Sequence, residues 1–315
     1  MSDPKVTALH SVDIGVADID AAAAFFTGVW GLAQVAAEAG AVWLRGTGPD
    51  HHIVALHRRP RAELIAVTLL AADSGAVDAL HARAIAYGLA AVTAPAALAR
   101  PGGGYGFAFK DVEGRNIAVC AGIATHADTA DRPDRPRKLA HVVLNADAPE
   151  QSVALFTDLL GFRVSDRTKM HNFLRCGDAS AGPIDHHNIA IGNSGGGNSG
   201  GPTLNHIAFE MPDLDSVMRG AGACREQGWP IEWGVGRHGP GNNVFAYFVG
   251  PEDIPIEYTA EVLQVDERYP TGAPGDWGFP NGRSDHWGVT GPPSDRIKAA
   301  QRAIGFSETL GLAAG

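Results

Sequence analysis

Residues 9–32, LHSVDIGVADIDAAAAFFTGVWGL, are matched without a gap by residues 139–162, LAHVVLNADAPEQSVALFTDLLGF, at an offset of 130. Leu9/Leu139, Val12/Val142, Phe26/Phe156, Thr27/Thr157 and Gly31/Gly161 coincide. A second pair, 64–88 with 204–228, aligns at an offset of 140, matching Leu64/Leu204, Asp73/Asp213, Val77/Val217 and Gly88/Gly228. A third, 107–121 with 248–260, ends in register at an offset of 139. Three ordered blocks at nearly constant spacing identify an internal duplication. The expected layout is one domain over 1–125, a polar linker over 126–136, a second domain over 137–265, and a tail over 266–315 with no repeat counterpart.

Each half also looks internally doubled. An apolar β-type run (Val142-Val143-Leu144; Ile207-Ala208-Phe209) leads to an Asp, then to a helical stretch that stops at Gly. Asp147-Ala148-Pro149-Glu150 has the spacing of a capping box. Three short strands follow each helix, for example 171–176, 187–192 and 244–248, separated by Gly, Asn and Pro turns. The predicted class is therefore α+β, two domains each built of two βαβββ modules.

Composition agrees with a turn-rich globular chain. The 315 residues are 45 % hydrophobic and 19 % charged, and 40 Gly with 20 Pro make about 19 %. A net charge of −10 argues against a nucleic-acid partner, which needs a cationic footprint. Arg58-Arg59-Pro60-Arg61 and the stretch Arg132 to Lys138 are short, Pro-interrupted and read as solvated loops. No apolar run approaches the roughly 20 residues of a membrane span, and the N-terminus lacks a secretory pattern. Three scattered cysteines (Cys120, Cys176, Cys224) fit a reducing cytoplasm and exclude a disulfide scaffold. Thirteen histidines against three cysteines favour nitrogen and oxygen over sulfur as ligands for any metal.

The aligned halves differ where chemistry would sit. His141 pairs with Ser11, His206 with Ala66, and Glu257 with Ala118. Taken singly, each is as well read as a core histidine or a solvent-facing strand carboxylate. Taken together, they are three potential ligands whose fold counterparts are inert or weak, so fold maintenance does not require them. Two imidazoles and one carboxylate on one face form the 2-His-1-carboxylate triad of non-haem iron, with adjacent coordination positions left open. A net charge of about +1 on such a centre suits an anionic chelating substrate together with dioxygen.

At these residues the chain resembles type I extradiol ring-cleavage dioxygenases of the vicinal oxygen chelate superfamily. The resemblance is carried by Leu139-Ala140-His141-Val142-Val143-Leu144-Asn145, Asp185-His186-His187-Asn188-Ile189-Ala190, Leu204-Asn205-His206-Ile207-Ala208-Phe209, and Gly236-Arg237-His238 through Tyr247-Phe248 to Ile256-Glu257-Tyr258. It covers residues 6–265 and implies iron in the C-terminal domain only. It further implies that His141, His206 and Glu257 bind Fe(II), with Mn(II) as the alternative ion. His187 would stand beside the dioxygen position and donate a proton, while His238 and Tyr247 would contact the hydroxyl oxygens of a catechol. A homo-oligomer is the family's common state. One departure is Gly241, three residues after His238, where some members carry an acid.

Two other readings remain open at this point. A non-redox metalloenzyme of the same superfamily, such as a glyoxalase-like lyase or an epimerase, leaves His187, His238 and Tyr247 without a clear task. A metal-free binding protein needs none of the triad. Elsewhere, the Gly-rich stretch 192–201 lacks the Lys-Ser/Thr of a P-loop and reads as a surface loop. His51, His52 and His57 are expected at the surface. The aromatic turns at 277–281 and 285–288 suit a lid over the active site or a subunit interface.

Overall fold

A computed structural model describes residues 4–194, 201–278 and 283–310. Most of the Gly-rich stretch and the turn from Phe279 to Asn281 therefore lie outside the described residues. In the first half, β1 (Val6–Val16), α1 (Ile19–Gly28), β2 (Ala33–Glu38), β3 (Ala41–Arg45) and β4 (Val54–Arg58) form one module. The next module is β5 (Glu63–Ala71), α2 (Ser74–Tyr87), β6 (Ala96–Ala97), β7 (Tyr105–Lys110) and β8 (Asn116–Ala121). The second half repeats this with β9 (Lys138–Ala146), α3 (Pro149–Ala154), β10 (Arg163–Arg167), β11 (His171–Arg175), a short β12 (Ile184–Asp185) and β13 (Ile189–Asn193). Its second module is β14 (Leu204–Glu210), α4 (Leu214–Glu226), β15 (Trp233–Arg237), β16 (Val244–Val249) and β17 (Pro255–Ala260). A short β18 (Gln264–Val265) pairs with β12, and α5 (Asp295–Ala300) ends the tail.

The strands form two eight-stranded sheets of identical topology, β2-β3-β4-β1-β5-β8-β7-β6 and β10-β11-β13-β9-β14-β17-β16-β15. In each, the first strands of the two modules lie side by side and antiparallel, and each is flanked by the last strand of its own module in parallel. This is the two-module vicinal oxygen chelate arrangement expected from the repeat. The pairing registers reproduce the sequence alignment. Ser11 faces Thr68 and Thr68 faces Ala118, as His141 faces Ala208 and Ala208 faces Glu257.

Local signals explain the helices. Asp18, Asp73 and Asp213 each cap a helix by accepting from the backbone N–H three residues on. Gly88, at φ +86°, closes α2 in the left-handed conformation that a residue with a Cβ adopts only at a cost. The capping box expected at Asp147 does not form. Pro149 takes the first helical position, which makes Ala148 the cap residue, and Asp147 accepts from Ser194 Oγ instead. Glu113 of the first half reaches over to accept from Ala148 N–H at 2.7 Å. The halves meet in one continuous apolar core, where Trp30 stacks on Tyr258 at 3.6 Å between centroids and its carbonyl accepts from the Tyr258 hydroxyl. Among the described residues no helix is long and apolar enough to cross a membrane.

The expectation that His52 and His57 lie at the surface is wrong. They are 0 % and 2 % exposed, because the strands they enter and occupy lie beside β1, whose Asp13 takes His57 Nε2–H at 2.9 Å and Arg100 at 3.4 Å. His51 is half-buried and stacks on His126. His10 and His52 pack edge to face in the same cluster. Burial, with the Arg100 charge beside it, pushes His10 down to about 3. Burial, with His10 and Arg100, pushes His52 down to about 2. The unfolded chain takes up these protons near pH 6.5 and the folded chain does not, so their stabilising effect is present above pH 6.5 and is lost as pH falls below it. Each group contributes about 1.4 kcal/mol per pH unit in that window. Urea titrations at pH 7 and 5.5 should show a smaller loss of stability for His52→Asn than for the wild type, by about 1 kcal/mol.

Candidate metal centre and active site

His141 on β9, His206 on β14 and Glu257 on β17 come from three adjacent central strands. His141 and Glu257 both pair with Ala208, and His206 lies two residues before it, so the side-chain alternation of a strand puts all three on one face. Their ligand atoms lie within 4.8 Å of one another, and all three residues are buried. The Glu257 Oε2 atom is 3.2 Å from His141 Nε2 and 3.1 Å from His206 Nε2. Ligands about 2.1 Å from a shared ion at right angles stand about 3 Å apart, so these separations suit one octahedral ion.

The proton arrangement also calls for a cation. Asn145 Nδ2 donates to the Gln301 carbonyl at 2.8 Å, so Asn145 Oδ1 accepts from Asn205 Nδ2 at 3.0 Å. Asn205 Oδ1 must then accept from His206 Nδ1–H at 2.7 Å. Neutral His206 therefore turns a bare Nε2 towards a carboxylate oxygen 3.1 Å away, and two lone pairs face each other. Burial holds His206 below its usual value, partly offset by Glu257. Burial alone would raise Glu257, but His141 and His206 outweigh it and hold the carboxyl well below its usual range. A deprotonated carboxylate and neutral imidazoles are the forms a metal requires. Glu257 Oε1 is buried without a hydrogen-bond partner among the described residues.

His141 and His206 of the triad line a cavity of about 320 Å³. His187, His238 and Tyr247 all line it. His187 is 3 % exposed, and its ring centroid lies 4.3 Å from that of His141. Burial, then the neighbouring His141, His186, His238 and His206, lowers its pKa well below 6.5. His238 Nε2 lies 3.1 Å from the Tyr247 hydroxyl, which in turn is 3.5 Å from His206 Nε2. Burial pushes His238 down to about 4, although Glu257 opposes the shift. Burial and Glu257 raise Tyr247 well above 10, so the phenol stays protonated. The tail supplies Ser284, Pro293 and Gln301 to the lining.

Register extends the comparison between halves. Tyr247 corresponds to Ala108, since each pairs with the ligand position on the neighbouring strand. His238 corresponds to Leu98, the backbone N–H of each bonding across its loop, to the Asn243 and Gly104 carbonyls respectively. His171, absent from the sequence-derived site, also lines the cavity, and burial pushes it down to about 4. Its counterpart is Ala41. Gly241 has a steric reason to lack a side chain. It sits at φ +77°, and a Cβ there would stand 2.9 Å from His187 Cε1. Gly241→Ala is expected to cost about 1 kcal/mol of backbone strain and to displace His187. Turnover should fall several-fold with metal content intact, checked by steady-state rates on metal-assayed protein.

Residues 138–258 match the Glyoxalase/Bleomycin resistance protein/Dioxygenase superfamily. A solved Mn(II)-bound glyoxalase from Novosphingobium aromaticivorans is 37 % identical, with a TM-score of 0.84 over 93 % of this chain and 94 % of that one. The chain belongs to this superfamily. Metapyrocatechase 2 of Cupriavidus necator is 30 % identical over 139 residues, which are 44 % of this chain and 41 % of that protein. The chain thus spans less than half the length of this curated relative. Homoprotocatechuate 2,3-dioxygenase from Arthrobacter globiformis, 20 % identical, shares the fold with a TM-score of 0.78 over 94 % of this chain and 91 % of that one.

Proposed function

We propose that this chain is an extradiol dioxygenase that opens the ring of a catechol with dioxygen, using Fe(II) held by His141, His206 and Glu257. The observation that carries the reading is the company the triad keeps. Two of the three clustered ligands, His141 and His206, share one cavity with a buried neutral histidine, His187, and with the His238–Tyr247 pair. A metal site with three protein ligands leaves positions for a bidentate substrate and a small gas. When bound, the ion supplies a Lewis-acid centre that holds both catechol oxygens and lets the ring pass electron density to dioxygen.

The chain's own residues handle protons and orientation. Tyr247, protonated, donates to the substrate oxygen that stays ionised. His238, neutral and 3.1 Å from Tyr247, contacts the same end of the catechol diol and keeps the phenol in place. His187, packed beside His141, returns a proton where the oxygen–oxygen bond breaks. Acid–base help of this kind is worth about 10²–10⁴-fold. Trp233 and Phe173 line the cavity or pack against its histidines and exclude water. The three buried free cysteines suit a reducing cytoplasm, and a homo-oligomer is the assembly we assign.

The 37 % identical Mn(II)-bound glyoxalase favours a second reading, a non-redox lyase using the same ligands. One experiment separates the two. The protein is loaded with Fe(II) without air, mixed with a panel of catechols, and then exposed to oxygen. A yellow ring-opened product with stoichiometric oxygen uptake is expected. No uptake with any catechol, together with glutathione-hemithioacetal turnover by the Mn(II) form, would overturn the dioxygenase reading.

A further inference from the structure

Behind His187 runs a buried hydrogen-bonded chain that the site described so far does not use. His187 Nδ1 lies 3.1 Å from Nδ1 of His186, and His186 Nε2 lies 2.7 Å from Asp166 Oδ2. His186 and Asp166 are both 0 % exposed. Asp166 accepts two further bonds, both from the tail. The Tyr269 hydroxyl donates to Oδ2 at 3.1 Å and the Gly272 N–H to Oδ1 at 2.7 Å. The His186 backbone is pinned as well. Its N–H donates to the Leu263 carbonyl at 2.8 Å, and its carbonyl accepts from Ser165 Oγ at 2.5 Å.

We propose that Asp166 and His186 are positioning residues that fix which nitrogen of His187 carries its proton. A carboxylate only accepts, so His186 holds its proton on Nε2. When His186 carries that single proton, its Nδ1 is an acceptor, and His187 donates to it from Nδ1–H. That leaves the Nε2 lone pair of His187 as the one turned to the cavity. The order of events at His187 follows, and this consequence rests on the dioxygenase reading, whereas the tautomer itself does not. His187 enters the reaction as a base. A catechol O–H proton passes to Nε2, the positive charge is shared along Nδ1–H, His186 and the Asp166 carboxylate, and the same proton is returned when the oxygen–oxygen bond breaks. No net proton is consumed.

The repeat supports the assignment. By strand register, Asp166 corresponds to Ala36 in the first half, each placed just after a bulge and opposite Phe173 or Trp43. The His-His pair itself is present in both halves. His51 and His52 approach through Nδ1 atoms at 3.0 Å, but His51 stacks on His126 and pairs with no carboxylate among the described residues. The pair is shared by the fold, and the acid is added only in the half that carries the triad.

Three variants and one spectrum test this. In Asp166→Asn the amide can donate to His186 Nε2, which moves the His186 proton to Nδ1 and forces His187 to the Nε2–H form. Turnover should fall about 100-fold with catechol KM and metal content unchanged, as for an acid that orients a catalytic imidazole. His186→Asn retains an acceptor oxygen near the old Nδ1, so its rate should stay within about tenfold of wild type, whereas His186→Leu should lose about 100-fold. Nitrogen-15 spectra of the Zn(II)-loaded full chain at pH 8, with His187→Asn as the assignment control, should place the wild-type His187 proton on Nδ1 and the Asp166→Asn proton on Nε2. The spectrum reads the tautomer even if no catechol is turned over, so failure of the dioxygenase reading is distinguishable. A wild-type His187 protonated on Nε2, or equal rates for His186→Leu and His186→Asn, would overturn the proposal.

Discussion

Glu257→Ala is expected to bring bound metal below about a tenth of an equivalent per chain and turnover to background. The carboxylate supplies the only formal negative charge in a ligand set that otherwise consists of two neutral imidazoles, and it bridges them at 3.1 and 3.2 Å. Loss of a group that merely orients a ligand costs about 10–100-fold in affinity. Removal of the ligand itself costs more, and the remaining histidines carry no compensating charge. Stability should move the other way. Glu257 is fully buried, its Oε1 has no hydrogen-bond partner among the described residues, and in the metal-free protein its charge is met by the imidazoles of His141, His206 and, at 3.9 Å, His238 rather than by an ion. Removing such a charge relieves a desolvation penalty. The expected outcome is therefore a metal-free variant whose melting temperature equals or exceeds that of the metal-free wild type. Elemental analysis of dialysed protein and parallel melts of both stripped proteins check the two halves of the prediction. A variant that retains a full equivalent of iron would remove Glu257 from the ligand set.

His187→Asn should leave the metal in place and cut turnover by about 10²–10⁴-fold. Asn presents a polar group of smaller reach to the cavity and neither takes up nor releases a proton near neutral pH. His187 meets His141 ring to ring, so metal affinity should hold. Catechol KM should change little, because Tyr247 packs on His206 and bonds His238, whereas His187 packs on His141. The split between an unchanged KM and a reduced kcat marks an interaction made in the transition state. Oxygen-electrode rates on protein of known iron content measure it. Wild-type rates with bound iron would assign the proton transfer elsewhere.

Much of this was readable from the residues because the chain carries its own control. The duplication supplies a second copy of the fold in which Ser11, Ala66 and Ala118 occupy the ligand positions, and sheet register confirms that alignment strand by strand. The same comparison, carried further, reaches Asp166 against Ala36 and His171 against Ala41. These were not legible in sequence because β2 and β10 share no residue that anchors an alignment. The His51-His52 and His186-His187 pairs escaped for a different reason. The second copy inserts five residues between β11 and β13, so the offset moves from 130 to 135. Burial misled as well. His52 and His57 read as surface residues because they fall in the half without the triad, whereas here Asp13 and Arg100 draw them inward. The capping box failed at one residue, Pro149, which fixes the start of α3 one position later than the Asp requires.

The first half answers the same architectural problem with covalently attached charge. Where the second half gathers a buried carboxylate between two imidazoles, the first places Asp13 between His57 and the guanidinium of Arg100, and its cation arrives with the polypeptide. On the proposed reading, one half carries its cation within the chain, while the other takes its cation from outside. Removal of the metal would then act on the triad and leave the Asp13–His57–Arg100 cluster of the first half untouched.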